Sequence, residues 1–158
     1  MERAVRSIEE ELADVPFFDG MSTETMSLLG GCARNVHFGH GDFLFRASDP
    51  APVFYALRHG TVALETFVPA RGPVLIDTIG AGEVLGWSWL FPPFRWHFDG
   101  RAVDDVRATS FDATCLREKA DADPSLGYDL MRRFAQIAIE RLQSTRLRLL
   151  DVYGYGSR

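Results

Sequence analysis

The sequence predicts a mainly β domain carried between helical segments at its two ends. Three observations predict it. Residues 33–115 break into short runs rich in β-branched and aromatic side chains, with Gly, Pro or Asp roughly every 8–12 residues, the spacing of a sandwich or barrel. An amphipathic, acidic stretch precedes them, and Asp123-Pro124 opens a long helical register after them. With 158 residues, 46% hydrophobic and 25% charged, the chain fits one domain with a helical appendage and can bury a core of its own.

From Glu2 to Ala13 the spacing predicts a helix with Val5, Ile8 and Leu12 on one side and Glu9-Glu10-Glu11 as a solvated face. Val15-Pro16-Phe17-Phe18 interrupts it. Ser22 and Thr23 can cap a second short helix carrying Met26, Leu28 and Leu29, which Gly30-Gly31 stops. Strands are expected near Val36–Phe38, Phe43–Arg46, Val53–Arg58, Val62–Phe67, Val74–Ile79, Phe94–Val103, Arg107–Ala108 and Ser110–Ala113. After Asp123-Pro124 a helix should run to about Tyr153, with Gly154 ending it; some 30 residues at ~1.5 Å rise make roughly 45 Å, longer than a domain of this size is wide. Leu130, Phe134, Ala138, Leu142, Leu149 and Val152 follow helical spacing, while Met131, Ala135, Ile139 and Leu150 widen the arc. So wide an apolar arc wants two neighbours, the β body and the same helix of a second copy, and a homodimer through the C-terminal helix is expected.

The net charge of −5 disfavours a polyphosphate partner. The one basic concentration, Arg132, Arg133, Arg141, Arg146 and Arg148, lies on the long helix and suits salt bridges across a dimer, an anionic ligand or a partner. Cys32 and Cys115 are far apart with no CxxC spacing and read as two reduced thiols, Cys115 as a small buried filler. The N-terminus lacks an export h-region and no apolar run can span a bilayer, so a cytoplasmic protein without membrane association is expected. His37-x-x-His40 is broken by Gly39, and with His59 and His97 these read as surface or strand-end histidines; no nucleophile elbow or paired carboxylate stands out, so no enzyme is expected.

Several segments then fall in a suggestive order: Val15-Pro16-Phe17-Phe18 with Met21-Ser22, Phe38-Gly39-His40-Gly41-Asp42-Phe43-Leu44-Phe45, Val53 to Val62 with Gly60 between two strands, and Gly82-Glu83-Val84-Leu85-Gly86. In this order the chain resembles, over nearly its whole length, the cyclic-nucleotide-binding domain of the catabolite-activator (Crp/Fnr) family of bacterial regulators. The resemblance implies a double-stranded β-helix, a jelly-roll-like β-roll with N-terminal helices and a long C-terminal dimerisation helix. It implies a division into an N-terminal helical segment (1–32), the roll (33–115), C-terminal helices (116–153) and a tail (154–158). It also implies a ligand sensor in signal transduction. The chain stops at Arg158, where a catabolite activator would add a helix-turn-helix, so no direct DNA binding is expected and any output needs an unidentified downstream protein.

Gly82-Glu83-Val84-Leu85-Gly86 resembles the opening of the phosphate-binding cassette, where glycines permit a sharp turn whose backbone N–H groups make an anion site. The ligand so implied is a cyclic nucleotide, cAMP or cGMP. In the family a Glu holding the ribose follows the second glycine, and an Arg neutralising the phosphate comes later. Here Trp87, next to Ser88, takes the first position, and the second falls on or beside Trp96 and His97. Arg95 could reach the site through a loop shift and His97 could act as a partial cation. Within Glu140-Arg141-Leu142-Gln143-Ser144-Thr145, Thr145 matches the hydroxyl that reaches the purine edge, or is a small residue allowing close helix approach.

Trp87, Trp89, Phe91, Phe94, Trp96 and Phe98 crowd a loop that should be polar. They either line a pocket for a flat apolar ligand or fill the cavity themselves. The expectation is a dimeric, ligand-sensing regulatory module with altered or lost cyclic-nucleotide specificity. A ligand-free dimerisation scaffold is the alternative, and a small cupin-like β-roll enzyme ranks last.

Overall fold

The computed structural model describes residues 6–154. They form helices α1 (Ile8–Leu12) and α2 (Thr23–Gly30), eight strands, and helices α3 (Ala113–Ala122) and α4 (Pro124–Val152). The strands are β1 (Ala33–Phe38), β2 (Phe43–Phe45), β3 (Val53–His59), β4 (Val62–Val68), β5 (Gly72–Ile79), β6 (Val84–Leu85), β7 (Asp99–Ala102) and β8 (Val106–Asp112). Two compact units part between Lys119 and Ala120.

In the first unit the chain passes back and forth between two four-stranded antiparallel sheets, ordered β1-β8-β3-β6 and β2-β7-β4-β5. This is the expected jelly-roll-like β-roll. Strand alternation explains the core: Tyr55 and Leu57 of β3, Val62 and Leu64 of β4, and Val106 and Ala108 of β8 join one buried apolar cluster with Leu44, Phe45, Ile79 and Trp96. The opposite face of the first sheet is also buried, by a ring stack in which Phe54 meets Phe111 at 4.4 Å and Phe111 meets Phe18 at 5.6 Å. Val15-Pro16-Phe17-Phe18 is therefore structural. It makes a single 3₁₀ turn that delivers Phe18 to the sheet.

Helix α1 starts at a reciprocal capping box: Ser7 Oγ accepts from the Glu10 N–H and the Glu10 carboxylate from the Ser7 N–H. Glu2 to Val5 of the expected helix lie outside the described residues. Ser22 caps α2 as expected. The strand expected over Phe94–Val103 shrinks to β7: Phe94 turns left-handed at φ +57°, and Arg95 makes an isolated bridge with Pro50. Arg107–Ala108 and Ser110–Ala113 merge into β8, and Ala113 already belongs to α3.

The reading of Cys32 and Cys115 as separate thiols is corrected. The two form a disulfide, with Cα atoms 5.7 Å apart across a sequence separation of 83. The cause is strand register: β1 pairs with β8 through Ala33 and Phe111, so the residue preceding β1 meets the residues that follow β8. Spacing along the chain carries no trace of such a non-local pairing. Cys115 is half-buried, so it is no core filler.

His37, His40, His59 and His97 are all exposed. The His37 imidazole hydrogen-bonds the Asp105 carboxylate, and this bond above all holds Asp105 below its ordinary pKa. A depressed carboxylate pKa stabilises the fold above the ordinary aspartate range and loses that contribution as pH falls through the folded value. His37→Gln should therefore lower the melting temperature at neutral pH, with the gap from wild type closing below about pH 4 in a pH series of thermal melts.

In the second unit, Asp123 Oδ1 accepts from the Ser125 and Leu126 N–H groups to start α4, Pro124 occupies its first turn, and Gly154 at φ +78° follows its end. Leu126, Leu130 and Phe134 are buried. No described residue after Phe134 is buried, although Ile139, Leu142, Leu147, Leu149, Leu150 and Val152 are all apolar and at least 47% exposed.

Candidate functional site: the glycine loop and the aromatic insert

Edge strand β6 pairs with Tyr55 and Ala56 of β3 and lies between Gly82 (φ +87°) and Gly86 (φ +101°). The bends expected of the glycines are present, but the N–H groups of the first one are engaged. Gly82 N–H donates to the Leu57 carbonyl at 2.8 Å and Glu83 N–H to the Gly80 carbonyl at 3.1 Å. The Glu83 carboxylate accepts from the Gly80 N–H at 3.2 Å, so it closes the turn. Val84 and Leu85 direct their side chains into the core, leaving only their backbone to meet a ligand.

After Gly86 comes Trp87, then a 3₁₀ turn over Ser88–Leu90, Pro92-Pro93 joined by a cis bond, and Phe94. The insert grips β3 from both faces. Trp89 stacks on Phe54 at 5.6 Å on one face, and Trp96 lies over Tyr55 at 6.5 Å on the other. Neighbouring residues of a strand point to opposite faces, so Phe54 and Tyr55 can receive one indole each.

Trp96 is the pivotal residue. Its ring stacks on Phe45 with centroids 3.8 Å apart and planes 9° off parallel, deep in the inter-sheet core. Two glycines make room for this pair. A Cβ on Gly86 would lie 2.7 Å from the Trp96 ring, and one on Gly100 would lie 2.5 Å from the Phe45 ring. At the bend where the resemblance implies a phosphate, the roll therefore holds an indole. Tyr55 donates to the Leu44 carbonyl at 3.4 Å, and burial pushes its hydroxyl pKa up, so it remains a neutral part of the same aromatic interior.

Of the cationic candidates, Arg95 donates to the Ser48 carbonyl at 2.7 Å and His97 is exposed. Arg101, on the strand leaving the insert, is held in a two-pronged ion pair by Glu65, with N···O distances of 2.7 and 3.3 Å. The insert is also bonded to the loop after β2: Ala51 N–H donates to the Phe94 carbonyl, Ser48 N–H to the Trp96 carbonyl, and Trp96 N–H to the Asp49 carbonyl, at 2.7–3.0 Å. Thr145 belongs to the second unit, and its hydroxyl donates to the Arg141 carbonyl at 2.8 Å. Ser88 is buried in the 3₁₀ turn.

Sequence reasoning missed Phe45, Phe54 and Tyr55 as partners of the tryptophans, and missed Arg117. Arg117 reaches from α3, donates to the Trp89 carbonyl at 2.7 Å and places its guanidinium 4.8 Å from the Phe94 ring centre. Gly100 was the one available signal, since a glycine inside an expected strand marks a close approach.

A roll of two four-stranded sheets, with a glycine-bounded insert after β6 and a long helix in the C-terminal unit, defines the class. The chain belongs to the cyclic nucleotide-binding domain family, which matches residues 35–123. It is similar to the CRP-like cAMP-activated global transcriptional regulator of Mycobacterium tuberculosis, with 25% identity over 145 residues, covering 92% of this chain and 63% of that protein. It also matches Glutaminase 1 of Bradyrhizobium diazoefficiens at 27% identity over 84% of this chain, which is only 21% of that protein. Among solved structures it resembles a putative cyclic nucleotide-binding protein of Geobacter metallireducens, with a TM-score of 0.76, 24% identity, and coverage of 85% of this chain and 98% of that one. Among the described residues no helix is long and apolar enough to cross a membrane, and no group of three or more His, Cys, Asp or Glu side chains could hold a metal ion.

Proposed function

We propose that this chain is a dimeric, non-enzymatic regulatory module that has lost recognition of cyclic nucleotides through the phosphate contacts its relatives' fold provides. The observation that carries this reading is the Trp96 ring seated against Gly86 and stacked on Phe45. Anchoring an anion there would require evicting a buried indole from an apolar stack, while Arg95 is engaged by the Ser48 carbonyl and Arg101 by Glu65. Residues 1–32, 33–115 and 116–153 serve as supporting helices, roll and dimer element. The protein acts in the cytoplasm, hands its signal to another protein, and does not read DNA through these residues.

The test is a thermal-shift titration with cAMP and cGMP. A ligand at a hundred times its Kd stabilises by about 2.7 kcal/mol, so a true ligand at that excess raises the melt by several degrees. We expect no shift from either nucleotide up to millimolar concentration. A saturable shift at micromolar concentration, abolished by Gly86→Ala, overturns the reading. Flat aromatic metabolites belong in the same screen, because a shift from one of them would mark altered specificity in place of lost specificity.

Dimerisation is supported by the exposed apolar run on α4 beyond Phe134. Buried against a second copy, such residues would each contribute about 1–2 kcal/mol. Leu142→Glu combined with Leu149→Glu should convert a dimer to a monomer in sedimentation velocity, with melting of the roll itself little changed. A monomeric wild type at about 50 µM, well above the micromolar range of stable dimers, would end the dimer proposal.

A further inference from the structure

The chain contains two cysteines, and the fold brings both to one place: Cys32 at the junction of α2 and β1, Cys115 in the first turn of α3. Two residues further along that turn stands Arg117, the strut to the aromatic insert through the Trp89 carbonyl and the Phe94 ring. We infer that the Cys32–Cys115 bridge is a thiol-responsive lock that fixes the start of α3 and, through Arg117, controls how firmly the aromatic insert is held. This goes beyond the reading of the site above, since it needs neither a ligand nor a dimer.

Placement supports a switch over a purely structural tie. The two cysteines differ in burial: Cys32 is 7% exposed, whereas Cys115 is half-buried and is the one nearer solvent. In the reducing cytoplasm assigned under the proposed function, disulfides are usually transient and catalytic or redox-sensing. The start of α3 also keeps anchors that survive opening. Ala113 N–H donates to the Pro52 carbonyl, Cys115 N–H to Asp112 Oδ1 at 2.7 Å, and Leu116 is fully buried. Reduction therefore loosens the turn without releasing it. The insert is sensitive to such loosening because it holds a phenylalanine, Phe94, in a left-handed backbone conformation, which costs of order 1 kcal/mol or more and persists only under tertiary restraint. Arg117 is one of those restraints.

The chemistry is a two-electron exchange with a dithiol donor. A donor thiolate attacks Cys115 Sγ, the protein S–S bond breaks, and the electron pair leaves on Cys32 Sγ, which takes up a proton. The donor's second thiolate then attacks the mixed disulfide and releases Cys115 as a thiolate that is protonated in turn. The donor ends as a disulfide, oxidised by two electrons, and the protein as two thiols.

Amide hydrogen exchange on the full-length wild-type chain, oxidised or reduced with dithiothreitol, reads the lock directly. On reduction, exchange over residues 87–98 should quicken roughly tenfold more than exchange over the β4–β5 hairpin, which reports the accompanying loss of global stability. Arg117→Met, kept oxidised, should reproduce the faster exchange in the insert, and reduction should then quicken insert and hairpin alike. Thiol titration and intact mass report the state of the bridge in each sample. Insert exchange that quickens no more than the hairpin on reduction, an insert-specific redox response undiminished in Arg117→Met, or two free thiols persisting under oxidant would each overturn the proposal.

Discussion

Trp96→Ala should lower the melting temperature by roughly 6–20 °C, the largest drop expected from any single change within the insert. Truncating a buried Trp or Phe to Ala costs about 3–5 kcal/mol, through lost transfer energy and the cavity left behind. For a chain of this size each kcal/mol moves the melt by roughly 2–4 °C. The neighbours of Trp96 cannot collapse cheaply into the space, since Phe45 is wedged against Gly100 and Gly86 has no side chain to move inward. The vacated volume should therefore persist as an apolar cavity, and such cavities stay dry and take up apolar guests. Millimolar indole should recover part of the lost melting temperature in Trp96→Ala and none in wild type. A loss of less than about 2 °C, with no rescue by indole, would show that the ring is not packed as described.

Opening the Cys32–Cys115 bridge should produce the second large effect, on global stability. A cross-link restricts the unfolded chain, and for a separation of 83 the loop-closure relation gives about 4.5 kcal/mol, within a measured range of roughly 2–5 kcal/mol for removal of native bridges. Urea unfolding of the oxidised protein and of Cys32→Ala/Cys115→Ala should differ by an amount in that range. The denaturant midpoint should move well down, and the slope should rise because the uncross-linked chain exposes more surface. Coincident curves would mean that the bridge does not form in solution. This global loss is separable from the local lock, because Arg117→Met leaves the cross-link intact.

The fold was largely legible because its signals are local. Runs of β-branched and aromatic residues on either side of Gly60 located β3 and β4, Ser22 located the start of α2, and Asp123-Pro124 located the start of α4 to the residue. What escaped is non-local or conformational. The bridge depends on the register of β1 against β8, which no spacing along the chain encodes. Phe94–Phe98 looks like a strand by composition, but Phe94 is left-handed and the segment keeps a single isolated bridge, Arg95 to Pro50. At the site, the replacement of the family's Glu and Arg by Trp87 and Trp96 was visible as a loss of charge. Whether the new aromatics line a space or fill it was not, because the answer lies in partners such as Phe45 that are some 50 residues upstream.

The grip of Trp89 and Trp96 on the two faces of β3 bears on how the protein avoids sticking to itself. Strand β6 covers Tyr55 and Ala56 along the outer margin of its sheet, and the turn before it carries the cover on to Leu57, still a short stretch of a seven-residue neighbour. An uncovered hydrogen-bonding margin of that kind is an open template for a foreign strand. The insert sets one indole above and one below this margin, so a strand pairing there would have to fit its side chains beside two large rings. Replacing the tryptophans with the small polar residues of an open cassette would remove those rings and leave the flank thinner as well as the core emptier.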